Sequence, residues 1–232
     1  YRWDEKLDNL NHHIKTINED SRIKLLYGDL SDFNSLLEIL KNIKPDIIFH
    51  LAAQSFPKTS FNYPIQTLNV NILGTANLLE SAKILNLKKT IIHVCSSSEV
   101  FGRVKKEDLP IKENATFHPA SPYAISKVGT DLLGRFYAEA YGLRTLTTRM
   151  FTHTGPRRSD VFAESTFAKQ IALIEKGYQK PVVYVGNLKS LRTIADVRDA
   201  CDAYYKLVTI NPIPGEYYNI GGNYTCTVGE IL

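Results

Sequence analysis

PDIIFHLAAQS, Pro45 to Ser55, breaks into three parts. Pro45 ends the helical period before it, because proline lacks an N–H and keeps its predecessor out of the helical region. Asp46 to Leu51 is then a short, largely apolar run, the pattern of a strand buried on both faces. Ala52, Ala53, Gln54 and Ser55 follow it. Two small residues at a strand end let a backbone approach a flat or elongated ligand, though they also suit tight helix–strand packing.

The same alternation extends in both directions. Arg22 to Tyr27 reads as a strand, and Phe33, Leu36, Leu37, Ile39, Leu40 and Ile43 recur at helical spacing over 32–43. Downstream, 65–85 is a long helical stretch with Leu68, Ile72, Leu73, Leu78 and Leu79 inward, and Thr90 to Cys95 is the next strand. A loop from Ser96 to Pro119 leads to Ser121, a good N-cap, and Pro122 in the first helical turn. That helix runs to about Tyr141 and is closed by Gly142, and Leu143 to Met150 is a further strand. Helical stretches recur at 162–177 and 196–208, with short strands near 182–185 and 217–220. Strands alternating with helices predict an α/β fold with a mostly parallel sheet.

Ligands of such sheets bind at the carboxyl ends of the strands. Gly28-Asp29, Ala52 to Ser55, Ser96 to Glu99 and Phe151 to His153 each follow a predicted strand, so all fall on one edge. Asp29 is placed to accept from an amine or ribose group, or to cap the helix that starts near Ser31. Tyr123 and Lys127 lie four residues apart in SPYAISK, on one face of their helix. An ammonium close to a phenol favours the phenolate. With a serine hydroxyl from CSSSE (Cys95 to Glu99) beside them, they form a proton-transfer site for carbinol–carbonyl interconversion, the partner of hydride transfer.

Composition removes several other classes. The 232 residues are 44% hydrophobic and 22% charged, ordinary for a globular protein. The net charge of +4 comes from scattered side chains, which excludes a nucleic-acid stripe and leaves room for a local phosphate site. No apolar run approaches the ~18 residues of a membrane span, and no signal peptide is visible. Cys95, Cys201 and Cys226 are far apart and odd in number, which fits a reducing compartment better than a disulfide framework or zinc site. His12 and His13 are adjacent, point apart on a helix and have no ligand cluster around them, so no metal is expected.

YGDLSD (Tyr27 to Asp32), PDIIFHLAAQS, NVNILGTANLLE (Asn69 to Glu80), SSSEVFG (Ser96 to Gly102), SPYAISK (Ser121 to Lys127), RMFTHTGPRR (Arg149 to Arg158), VGNLKSLRT (Val185 to Thr193) and YNIGG (Tyr218 to Gly222) occur in one order. That series resembles the extended short-chain dehydrogenase/reductase family, in its sugar-nucleotide dehydratase and epimerase branch. LAAQS, the SSE triplet, GPRR and the spacing of GNL to Arg192 are most similar to the GDP-mannose 4,6-dehydratase group. The resemblance implies a Rossmann-like doubly wound parallel sheet. Residues 1–160 would form the dinucleotide-binding domain, and 161–232 a smaller, interleaved substrate-binding part.

The resemblance also implies roles. Asp29 and Leu30 would flank the adenine, and Leu51, Ala52, Ala53 and Gln54 would line the pyrophosphate and nicotinamide ribose. Tyr123 would be the acid/base at the sugar 4-hydroxyl, Lys127 would hold the ribose and tune Tyr123, and Ser97 would bond the 4-oxygen. Glu99 stands where dehydratases carry the carboxylate that removes the C5 proton, which favours dehydration. The alternative on this scaffold is an NAD(P)-dependent 4-epimerase, 4-dehydrogenase or 4-keto reductase. Ser55, Ser98, Thr152, Arg158 and Arg192 would bind the nucleotide sugar, with Arg157 as a further anion or subunit contact. Arg2, near the end of the family's second strand, tilts the cofactor toward NADP, with NAD possible. A homodimer or homotetramer in the cytoplasm is implied, with no nucleic-acid, membrane or metal partner.

Departures limit the substrate. Thr152 replaces the family's asparagine, and Thr193 its acidic residue after Arg192, which leaves GDP-mannose, a GDP-heptose or a CDP-sugar open. The family's first strand and glycine-rich turn have no counterpart here. The expectation is an internal piece of a longer enzyme, whose sheet would have unpaired edges and not work alone.

Overall fold

The computed structural model describes residues 19–232. Arg2, His12 and His13 lie outside the described residues. Helix α1 (Phe33–Ile43) leads to β1 (Ile47–His50), then α2 (Pro57–Asn62). Helix α3 is continuous through Pro64–Leu68, a π turn at Asn69–Leu73 and Gly74–Ile84. Then come β2 (Ile91–Cys95), α4 (Pro122–Tyr141), β3 (Arg144–Met150), β4 (Thr152–Thr154), α5 (Ala163–Glu175), β5 (Leu191–Asp196), α6 (Val197–Thr209), β6 (Tyr217–Ile220), β7 (Tyr224–Thr227) and α7 (Val228–Ile231).

Strands β1, β2, β3 and β6 form one parallel sheet in that order, and β4, β5 and β7 a smaller mixed one. Side chains alternate across a strand, so β2 feeds both faces. Ile92 and Val94 pack with Leu40 of α1, Leu78, Leu79 and Ala82 of α3 and Tyr137 of α4. On the other face Cys95 joins Met150, Ala200 and Tyr204 of α6. Helices on both faces of a parallel sheet make the doubly wound architecture that the resemblance implies. β6 lies in the large sheet although it follows residue 160, and β4 lies in the small one although it precedes it.

Local chemistry sets the ends of the elements. Asp32 caps α1 by accepting from Asn34 N and Ser35 N, while Asp29 accepts instead from the Ser31 N–H and hydroxyl. The helix cap is therefore Asp32, not Asp29. Ser121 caps α4 through Ala124 N with Pro122 behind it, and Gly142 ends the helix at φ 68. The expected strand at 22–27 does not form: the segment has no regular structure beyond a turn at its start, with Leu25 49% and Tyr27 92% exposed. Among the described residues it has no neighbouring strand to supply a ladder. The expected strand at 182–185 is absent because the Gln170 side chain takes its place: Oε1 accepts from Tyr184 N (2.8 Å) and Nε2 donates to Tyr184 O (3.0 Å).

Two buried histidines make the fold sensitive to acid. His50 shares a 2.9 Å hydrogen bond with Thr75, and His93 a 2.8 Å bond with Thr148 while its ring lies 4.4 Å from that of Tyr204. Burial first, then the nearby Lys127 charge, pushes His50 down to about 3 and His93 to about 4. On unfolding both return toward 6.5. Between those values the unfolded chain binds protons that the folded chain refuses. Stability is complete above 6.5 and falls with pH through that window, by up to about 1.4 kcal/mol per pH unit for each histidine. Thermal unfolding should show a midpoint lower by several degrees at about pH 5 than at about pH 7. A flat profile would contradict neutral burial of both rings.

Candidate functional site

The carboxyl ends of β1, β2 and β3 bring the site together. Ser97 follows β2, is buried, and accepts from Glu99 N (3.2 Å), which starts the 3-10 turn Ser98–Phe101. Glu99 is exposed and Ser98 half-buried on that turn. Gly102 ends it at φ 58, where an added Cβ would sit 1.7 Å from His118 O, so only glycine closes this corner.

Tyr123 and Lys127 are both buried in the first turns of α4. The Tyr123 phenol is pushed up from its ordinary value, chiefly by burial. A hydrogen bond with Ser97 and the positive charge of Arg158 oppose that shift. Lys127 has a backbone partner. Its Nζ donates to Cys95 O (2.7 Å) at the end of β2 and stands 5.9 Å from the Tyr123 ring centroid. Burial pushes its ammonium down. In this arrangement Lys127 locks α4 to β2, and burial outweighs any ammonium effect on the phenol.

Sequence reasoning missed Asn71, which holds the two sides of the site together. It is buried in the π turn of α3, accepts from Gln54 N (2.8 Å), and donates to Gln54 O (3.0 Å) and Ser126 Oγ (2.8 Å). Ser126 in turn donates to Tyr123 O (2.6 Å). One carboxamide thus couples the loop after β1 to the helix of Tyr123. The π turn, which often marks functional segments, is its structural signature; the NVNILG motif alone carried no role.

The residues present fit a dinucleotide. Leu51 and Ala52 are exposed at the end of β1, with Ala53 half-buried behind them. Gln54 Oε1 is buried without a hydrogen-bond partner among the described residues while Nε2 donates to Phe56 O, which leaves an acceptor for a ligand hydroxyl. Leu30 packs against Gly74 of α3, where an added Cβ would meet its Cβ at 2.8 Å.

The substrate-side residues divide. Arg192 on β5 is exposed and, among the described residues, donates to the neighbouring Leu191 O alone (2.8 Å), which leaves the rest of its fork open to an anion. Thr152 lies on the adjacent β4, and Ser55 is exposed after β1. Arg158 is engaged internally: Nη1 donates to His153 O (2.8 Å), Nε pairs with Glu164 (2.6 Å), and the guanidinium lies 3.9 Å from the Phe162 ring centroid. That differs from a guanidinium free to take a phosphate. An open cleft of about 570 Å³ beside it is lined by His153, Arg157, Val197, Arg198 and Cys201, but not by Ser97, Glu99 or Tyr123.

Known proteins resemble the chain in sequence and fold. The family model described as GDP-mannose 4,6 dehydratase matches residues 2–232. A GDP-mannose 4,6-dehydratase of Vibrio cholerae serotype O1 is 37% identical over 182 residues, covering 78% of this chain and 48% of that protein. A GDP-6-deoxy-D-mannose reductase of Pseudomonas aeruginosa is 34% identical over 204 residues, 88% of this chain and 66% of that one. The solved structure of RMD from Pseudomonas aeruginosa complexed with NADPH superposes with a TM-score of 0.83 at 31% identity, over 96% of this chain and 75% of that one. The chain thus spans about half to two thirds of the length of these curated relatives. With its parallel sheet, its Ser97–Tyr123–Lys127 cluster and a match along nearly its whole length, the chain belongs to the GDP-mannose 4,6-dehydratase family.

Proposed function

We propose that the protein is an NADP-dependent sugar-nucleotide 4,6-dehydratase, which converts a GDP-mannose-like NDP-hexose to its 4-keto-6-deoxy form. The observation that carries this reading is Glu99, an exposed carboxylate on the turn that follows the buried Ser97, which faces the buried Tyr123 phenol. Leu51, Ala52, Ala53, Gln54 and Lys127 would hold the nicotinamide half of the cofactor, with Asp29 and Leu30 toward the adenine. The bound cofactor would supply the hydride acceptor at C4 and the donor at C6. Tyr123 would act as the phenolate, ionised once the positively charged nicotinamide is bound beside it, and take the proton of the 4-hydroxyl while Ser97 steadies the 4-oxygen. The resulting ketone acidifies C5–H. Glu99 removes that proton and would pass it to the 6-hydroxyl, which leaves as water; C5 would regain a proton from solvent as C6 receives its hydride, and the proton taken by Tyr123 is released in exchange. The small sheet, with Thr152 and Arg192, would bind the nucleotide.

A 4-keto reductase is the second reading, favoured by the similarity to the Pseudomonas aeruginosa reductase. Cofactor stoichiometry separates the two. Full-length protein incubated with NADP and a panel of NDP-hexoses should consume a hexose with no net change in cofactor. Consumption of an NDP-4-keto-6-deoxyhexose with equal oxidation of NADPH would overturn the dehydratase reading. A dimer is supported by the exposed Leu73 and Ile84 of α3 and Leu132 and Phe136 of α4, and the same preparation should sediment as one or as a tetramer. The free cysteines support a reducing, cytoplasmic setting.

A further inference from the structure

We propose that Arg149 is a positioning residue, whose guanidinium holds the turn bearing Glu99 in register with the helix bearing Tyr123. The proposal rests on the dehydratase reading above. Arg149 is the penultimate residue of β3 and is 1% exposed. Nε and Nη2 donate to the two carboxylate oxygens of Asp131 (2.7 and 2.9 Å), one helical turn beyond Lys127 on α4. Nη1 donates to Glu113 O (2.6 Å), in the loop between the Glu99 turn and α4. The guanidinium carbon lies 4.7 Å from the ring centroid of Phe117, 4.4 Å from that of Tyr217 and 5.6 Å from that of Phe101.

Phe101 is the last residue of the Glu99 turn and meets Phe117 edge-on at 6.0 Å. His118 N donates to Val100 O (2.9 Å). The far side of the loop is tied to β6, where Asn219 N donates to Glu113 Oε1 (3.1 Å) and Asn219 Nδ2 to Ile111 O (3.0 Å). One side chain therefore touches the tyrosine helix, the aromatic anchor of the Glu99 turn and the loop that joins them. A buried ion pair alone is weak evidence of stabilisation. The bond to Glu113 O and the aromatic stack add what a helix–strand staple does not need. The chemistry needs them: Tyr123 and Glu99 act on adjacent carbons of one sugar, where a 1 Å misplacement costs up to about 10²-fold.

The test uses full-length protein carrying Asp131→Asn with Arg149→Met, a neutral pair close to the original volume; Arg135, which also reaches Asp131 (3.8 Å), is part-exposed and keeps its charge in contact with solvent. Phe117→Leu, in the loop and only half-buried, serves if that pair does not fold. Two readouts are taken: hydrogen exchange at the amides of Val100, Gly102 and His118, and the ratio of C5 solvent-deuterium exchange to C4 oxidation with GDP-mannose. Amide exchange should rise about tenfold and the ratio fall about tenfold. Unchanged amide exchange overturns the clamp. Equal loss of both steps overturns the positioning role, since a general loss of structure would give that result. If wild-type protein shows neither step on any NDP-hexose, the dehydratase reading fails and takes the assigned role with it. The amide exchange still decides whether the clamp exists.

Discussion

Glu99→Gln should lower turnover by about 10²–10⁴-fold while leaving C4 oxidation in place. The side chain is exposed, and its turn is held by backbone groups: Ser97 Oγ accepts from Glu99 N, and Gly102 N donates to Glu99 O. Glutamine keeps that shape, so the fold and substrate affinity should change little. What it loses is the base for the C5 proton. Mixed with substrate, the variant should reduce its cofactor and then stall, with C5 deuterium uptake from solvent falling in step with turnover. Normal C5 exchange would remove Glu99 from the mechanism.

The second large effect belongs to Tyr123→Phe, which should stop the reaction earlier. Phenylalanine keeps the buried ring but removes the only group at this position that can take the 4-hydroxyl proton. Single-turnover cofactor reduction should slow by about 10²–10⁴-fold, and C5 exchange should vanish with it because no ketone forms. The ring stays in its buried place, so thermal unfolding should barely shift. Unimpaired cofactor reduction would assign the proton to another group. Together the two variants order the steps, since one halts before oxidation and the other after it.

The sequence made the proton-transfer core readable because its signals are local. Tyr123 and Lys127 share a helix face by spacing alone, and Ser121-Pro122 and Gly142 mark the ends of that helix. The short apolar run at 46–51 and the small residues after it place the loop at the edge of the sheet. What stayed hidden depends on contacts between distant segments. Asn71 reaches Gln54 and Ser126 only because α3 takes a π turn, which no periodicity announces. Arg158 has the charge of a phosphate ligand, but Glu164, His153 and Phe162 engage it. Lys127 has the spacing to reach a phenol, yet a strand-end carbonyl takes its ammonium. The run at 22–27 has strand composition without a ladder partner among the described residues. Composition sets what a segment can do, and neighbours decide whether it does.

Dehydration itself is tested most directly by the mass spectrum of the nucleotide sugar formed by full-length wild-type protein from GDP-mannose in heavy water. The account predicts a product lighter by one water and carrying one solvent deuterium at C5. A product of unchanged mass, as an epimerase would give, or recovery of the substrate unaltered beside an NDP-4-keto-6-deoxyhexose that is reduced, would contradict it.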